Sequence, residues 1–288
     1  MRKEKGNVMI LVLIFLTMCS LAIGTTLSYA SSGLKSYQIT EEVMMEQYSA
    51  DAALEDAVWR LKNNIEFPEN PGINRESLIP GGTTSVTYPV TINDMDVSVT
   101  VELPGDLPDT EPLSHALLQF SLERSDKWII TGDVITYTFT LTNKHPNKIL
   151  DISEVGASLA PGLEYVSGSS SGMSASDPTI TLEQGCQKLL WSLSPPYPLE
   201  GKQSATQVFD ALASVDGGIY YTSAGANYRA PGLDWEPFDT GPDAPVWVSM
   251  YNITVTARKV TLEACAALTQ TGGVVDGATI FSWEEQEG

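Results

Sequence analysis

The chain has 288 residues, with 16 Lys plus Arg against 36 Asp plus Glu, giving a formal net charge of −20 and a pI near 4.3. That balance repels phosphate backbones, so no nucleic acid is expected as a partner. With 42% hydrophobic residues there is enough apolar material for a core. The two histidines and three cysteines match no zinc spacing and exclude a disulfide-dense mini-domain.

Arg2, Lys3 and Lys5 open the chain, with Glu4 among them, and the next charge is Lys35. Between them Val8 to Ile23 is almost wholly apolar. Extension through Leu27 and Tyr29 gives about 22 residues, or roughly 33 Å of helix, enough to span a bilayer core. Three fates compete: a signal peptide cut after Ala30, a lipoprotein signal using Cys19 with Met18 as a poor neighbour, and a retained anchor. In each, the basic residues stay inside and the chain after Lys35 faces the extracytoplasmic side.

The residues beyond Lys35 favour the anchor. Val43, Ala50, Leu54, Ala57 and Leu61 recur at heptad-like spacing, and Met44, Tyr48 and Val58 widen the stripe. No Pro occurs from Met1 to Phe67. The economical reading is one long helix, apolar and then amphipathic, ending near Asn63-Asn64 before Pro68 and Pro71.

The short basic leader ending in Gly6, the apolar run directly after it and the spine-like helix resemble the type IV pilin and pseudopilin group. The stretch Tyr48 to Leu61 (YSADAALEDAVWRL) is similar to the N-terminal region of PilX-type minor pilins. The resemblance covers about residues 1–64. It implies cleavage by a prepilin peptidase after Gly6, with Asn7 as the new N-terminus, and packing among other pilin-like subunits. The helix assembly face is then expected at Leu11, Val43, Ala50, Leu54 and Leu61. Two departures stand out: Asn7 replaces the usual Phe or Met, and Leu11 stands where major pilins carry a Glu that pairs with a neighbouring amine. A buried amine without that partner is costly, so Leu11 points to a minor subunit or to an uncleaved anchor.

From Phe67 onward Pro, Gly, Asn and Asp punctuate short alternating runs, which reads as all-β. Thr84 to Ile92 and Met95 to Leu103 flank Asn93-Asp94 as a hairpin, with Val97, Val99 and Val101 on one face. Pro104 to Pro112 reads as a linker. In Gly132 to Asn143 the face carrying Ile135, Tyr137, Phe139 and Leu141 is the expected core face. Six or seven strands between Ser114 and Tyr228 match an Ig-like sandwich.

Three pieces here resemble the Ig-like repeat of bacterial and archaeal surface proteins: Gly132, Asp133, Tyr137, Thr142 and Asn143; then Leu159, Pro161, Gly162, Leu163, Tyr165 and Val166; then Leu190 and Trp191. Ala160 is inserted in the second, and Leu189 restores the Leu-x-Trp spacing of the third. The resemblance implies a structural or surface module without catalysis.

Arg229 to Ala244 reads as irregular, and Val246 to Ala257, Val260 to Thr269 and Ala278 to Glu284 as three further strands. Added to the early hairpin they make a five-stranded antiparallel sheet against the helix. The expected fold is therefore mainly β with one long N-terminal helix: a pilin-like head with an inserted Ig-like sandwich. Its units are a leader (1–6), a transmembrane half-helix (7–29), an amphipathic half-helix (30–64), a hairpin and linker (65–113), the sandwich (114–228) and a returning segment (229–288).

No nucleophile constellation or phosphate loop stands out. His115 and His145 read as surface residues in loops. Asp234, Glu236, Asp239 and Asp243 match no calcium-loop spacing and read as a solvated turn. Cys186 and Cys265 fall in different units, which favours unpaired roles. Trp235, Trp247, Tyr220 and Tyr221 read as core packing ahead of a carbohydrate-facing patch. No cofactor or metal is expected. The sequence points to a non-enzymatic surface protein held in the cytoplasmic membrane by one span. The expected partners are the membrane, a prepilin peptidase, other pilin-like subunits and a surface ligand of unspecified nature. The alternative is an anchored adhesin that enters no filament.

Overall fold

A chain free of proline for its first 67 residues, with only Gly24 and Gly33 beyond the leader as weak points, has little to stop a helix once nucleated. The computed structural model describes residues 5–80, 82–105, 107, 111–114, 117–214, 216–230, 239–271 and 274–287. In it, α1 (Lys5–Asn63) runs for 59 residues, about 88 Å at 1.5 Å per residue. Its end is chemically defined. Asn64 takes a positive φ of 54°, and the amide of Ile65 donates to the Arg60 carbonyl at 3.0 Å, the closing bond of a Schellman turn. Arg75 Nη1 then donates to the carbonyls of Leu61 (3.2 Å) and Lys62 (3.4 Å), which the helix itself leaves open.

The rest is β. β1 (Ser85–Ile92) and β2 (Met95–Glu102) form the expected hairpin about Asn93 and Asp94, both at positive φ. Next come β3 (Leu113–Ser114), β4 (Leu118–Arg124), β5 (Trp128–Ile129), β6 (Val134–Asn143), β7 (Leu150–Leu159), β8 (Leu163–Tyr165), β9 (Ser171–Gly172), β10 (Thr179–Glu183), β11 (Cys186–Leu199), β12 (Ser204–Ala213), β13 (Gly218–Arg229) and β14 (Asp239–Val248). β15 (Met250–Ala257), β16 (Val260–Thr271) and β17 (Val274–Glu287) complete the chain.

Three sheets result. The order β1-β2-β15-β16-β17 makes a five-stranded antiparallel sheet, which we term the head sheet. The orders β10-β11-β7-β13-β14-β5 and β3-β4-β6-β12-β8 make the two layers of a sandwich. The chain leaves the head sheet after β2 and rejoins it at β15, beside the strand it left.

Each unit has its own core. Within the sandwich Ile135, Tyr137, Phe139 and Leu141 are all buried. Phe209 sits at its centre, 5.5 Å from the Tyr137 ring and 5.3 Å from Trp191. In the head, Val97, Val99 and Val101 meet Ile253, Val255 and Leu262 beneath α1. Ala50, Ala53 and Ala57 bring the helix backbone close to the sheet.

Two expectations need correction. Val246 to Ala257 is not one strand: Ser249, at φ 45°, breaks it. Asp239–Val248 pairs with β13 in the sandwich, so the chain returns to the head at Ser249, not near Arg229. Pro242, Gly241 and Pro245 disguise that strand in the sequence; the long partner β13 makes it one. Second, the helix face turned to the sheet is Glu46, Ser49, Ala50, Ala53, Leu54, Ala57 and Leu61, whereas Val43, Met44 and Tyr48 are exposed.

Candidate functional site

The first feature that stands apart from the folded body is the N-terminal part of α1. Gly6 and Asn7 fall in its first turn. Leu11 is 69% exposed, and large apolar side chains from Met9 to Tyr48 stay uncovered along the helix. The helix is long and apolar enough to cross a membrane by length and composition. Four of its hydroxyls are already satisfied: Thr17 donates to the Ile14 carbonyl, Ser20 to Thr17, and Thr25 and Thr26 to Ala22, all within about a turn. A hydrocarbon environment therefore meets no unpaired hydroxyl hydrogen at these four positions.

The residues expected to form one assembly face divide in two. Leu11 and Val43 are open, whereas Ala50, Leu54 and Leu61 are packed against the chain's own sheet and are not free for another molecule. The reason is periodicity: the stripe marks burial without saying against what. Farther along the helix, Arg60 Nε donates to Asp56 Oδ2 at 2.7 Å, and the Tyr88 hydroxyl reaches the same oxygen at 3.4 Å. Burial, then the Asp56 charge, holds the Tyr88 phenol well above its usual range.

The Ig-like motif residues are turns and core. Gly132, at φ 98°, donates its amide to the Ala213 carbonyl, and Asp133 Oδ2 accepts from the Ile130 amide at 3.1 Å. Tyr137 is buried and its hydroxyl accepts from Thr222 Oγ1 at 3.0 Å; burial pushes its phenol up to about 12, partly offset by that hydroxyl. Asn143, fully buried, donates through Nδ2 to the carbonyls of Lys148 and Leu199 and accepts from the His145 amide. Pro161 and Gly162 make the turn into β8, Leu163 is buried, and Trp191 Nε1 donates to the buried Ser170 hydroxyl at 2.9 Å. Asn143 and Trp191 were singled out by the sequence; the partner Ser170 was not, because a serine in a Ser/Gly run carries no periodic signal.

A built junction joins sandwich and head. Trp128, from β5, is buried among head residues, edge-on to Tyr251 at 5.7 Å, and its Nε1 donates to the Met250 carbonyl at 2.8 Å. Ser249 Oγ accepts from the Thr131 amide at 2.8 Å. The Gly217 amide donates to the Leu268 carbonyl at 2.7 Å, so close that a Cβ there would lie 2.7 Å from both Ala267 Cβ and the Leu268 nitrogen. Trp247 also packs toward the head cluster.

The remaining candidates do not converge. His145 Nδ1 accepts from the amides of Asn147 and Lys148 and so serves a turn. His115, Asp234, Trp235 and Glu236 lie outside the described residues. Cys186 and Cys265 are free and sit in different sheets; burial raises the Cys265 thiol. Among the described residues no three His, Cys, Asp or Glu side chains group to hold a metal.

No family model and no curated protein matches this chain. Among solved structures it is similar to the collagen-binding domain of a Staphylococcus aureus adhesin (8% identity, TM-score 0.28, covering 47% of this chain and 99% of that one). It is similar also to the full-length major pilin SpaD of Corynebacterium diphtheriae (14%, 0.28, 58% and 47%). A third is the major pilin subunit of Bacillus cereus (8%, 0.29, 65% and 67%). At these scores the likeness carries nothing about activity or partners.

Proposed function

We propose that the chain is a non-enzymatic, membrane-anchored surface subunit of the minor type IV pilin or pseudopilin kind, with its N-terminus inside and its β units outside. One observation carries the reading. A single unbroken helix is uncovered along its apolar half and packed by its last turns onto a five-stranded antiparallel sheet. The arrangement supports it further. The turn at Arg258 meets the emerging helix, with Arg258 Nη1 3.1 Å from Glu42 Oε1, and Ser49 reaches the Ile92 carbonyl at the other hairpin turn. The sandwich joins the opposite ends of those strands, so it stands away from the membrane. The partners on this reading are a prepilin peptidase and other pilin-like subunits, met through Leu11, Val43 and their exposed neighbours.

N-terminal sequencing of the mature protein from cells with an active prepilin peptidase tests the proposal. A chain starting at Asn7 is expected. An intact N-terminus supports instead an anchored adhesin that enters no filament, a reading Leu11 fits as well as it fits a minor subunit; cleavage after Ala30 rejects both.

A further inference from the structure

Among the described residues the three sheets end in six outer strands, and five of these contain a proline or bulges or are two or three residues long. A free edge offers a row of unpaired amides and carbonyls to any other strand, and folded proteins blunt it with proline, bulges or shortness. On β1, the two-residue turn Asn93-Asp94 fixes which residues point their main-chain groups outward: alternate residues that include Thr87 and Pro89. Pro89 has no N–H, and the Thr87 carbonyl is taken by Asn70 Nδ2 at 3.0 Å. β17 carries two bulges, where its register against β16 shifts between Cys265 and Ala266 and between Thr269 and Gln270. β3 and β5 have two residues each and β8 has three.

β10 has none of these devices. Thr179-Ile180-Thr181-Leu182-Glu183 contains no Pro, no Gly and no bulge, its one charge is at its end, and all five residues are exposed. The turn Gln184-Gly185, at φ 52° and 83°, again sets the pattern. Glu183–Cys186, Thr181–Lys188 and Thr179–Leu190 are the hydrogen-bonded pairs with β11. The main-chain groups of Ile180 and Leu182 therefore face outward, and Leu182 is 73% exposed.

We infer that β10 is a self-association edge, and that its partner is β10 of a second copy, antiparallel about a two-fold axis at Thr181. The register argues for this occupant. Centring on Thr181 sets Ile180 opposite Leu182 of the other copy, twice, and these are the residues with free main-chain groups. They form two hydrogen-bonded pairs and an apolar cluster on one face. Thr181 meets its own copy in the close, non-hydrogen-bonded position, and Thr179 meets Glu183, so no like charges oppose. The same patch thus serves both sides, as a two-fold contact requires. Two chains of −20 repel at long range, which makes the contact weak and strengthened by salt.

Cysteine cross-linking of the full chain in detergent micelles tests this, with Cys19, Cys186 and Cys265 replaced by serine. Cα atoms about 4.5 Å apart in the non-hydrogen-bonded position fit a disulfide. Thr181→Cys is expected to form disulfide dimers at least about tenfold faster than Thr179→Cys, and faster still on raising salt from about 0.05 to about 0.5 M. Ile180→Pro removes an outward N–H together with the Ile180 side chain and takes no bond from the β10/β11 ladder, and Leu182→Lys leaves the backbone untouched; each should bring the Thr181→Cys rate down to that of Thr179→Cys. Equal rates at the two positions, insensitivity to both variants, or slowing by salt overturns the inference. So does Thr181→Cys in intact cells joining another protein and not its own copy.

Discussion

The indole nitrogen of Trp128 donates to the main-chain oxygen of Met250 at 2.8 Å, across 122 positions of sequence. The donor belongs to the sandwich and the acceptor to the first residue of the returning head strand, and the ring is buried among head residues. Trp128→Ala is expected to cost about 3–5 kcal/mol, the range for truncating a buried aromatic. Trp128→Phe, which keeps most of the bulk but strands the Met250 carbonyl, should cost about 1–3 kcal/mol. Urea unfolding of the two variants against the parent measures both. A loss below about 0.5 kcal/mol for Trp128→Ala would mean that the junction carries no stability.

Glu102 and Asn252 sit opposite each other at the ends of β2 and β15. A short turn joining Leu103 to Met250 should therefore give a head that still unfolds cooperatively, though less stable than the parent because Trp128 is gone. Removing only Ser114 to Tyr228 should do worse, since β14 then keeps its sequence and loses its partner β13. Thermal unfolding of the two deletions distinguishes them; a featureless melt for the first rejects the insertion.

Arg75 caps the carbonyls of Leu61 and Lys62. Arg75→Ala is expected to destabilise by about 1–3 kcal/mol, with faster amide exchange in the last turn of α1. Arg75→Lys should recover part of the loss. Unchanged exchange around Leu61 in Arg75→Ala would remove the cap from the account.

Burial holds Tyr137 at about 12 against 10 for a free phenol. A group whose pKa is raised on folding contributes stability below its unfolded value and loses it as pH rises through the folded one. Stability should therefore fall between about pH 10 and pH 12. Tyr88 and Tyr251, raised by the same cause, act in the same direction. Tyr137→Phe should flatten that part of the denaturation curve while leaving the other two shares. An equally steep decline in the variant would show that Tyr137 does not titrate with unfolding.

The helix, the first hairpin and the face of β6 were legible because each has a clean period and a chemical stop. Asn63-Asn64, Asn93-Asp94 and the alternation from Ile135 to Leu141 speak locally. β14 was not legible: its prolines argue against a strand, and only the length of β13 overrules them. The split of the helix stripe was hidden for a related reason. Val43 and Ala50 share a period, but only the extent of the sheet decides which is covered. Among the singled-out residues, Asn143 and Trp191 had a pattern to betray them. Ser170 acts through its contacts with Trp191 and Tyr165, and Gly217 through a close backbone approach to Leu268; such contacts leave no trace in spacing.

The departure and return of the chain on neighbouring strands has a mechanical side. An outward tug on the sandwich draws β2 and β15 in the same direction, so the ladder between them slides little. The load passes to the ladders β1/β2 and β15/β16, which run parallel to the force and must yield in shear, many bonds at once. Tension applied at the far end of the molecule would reach the helix without unzipping the sheet bond by bond.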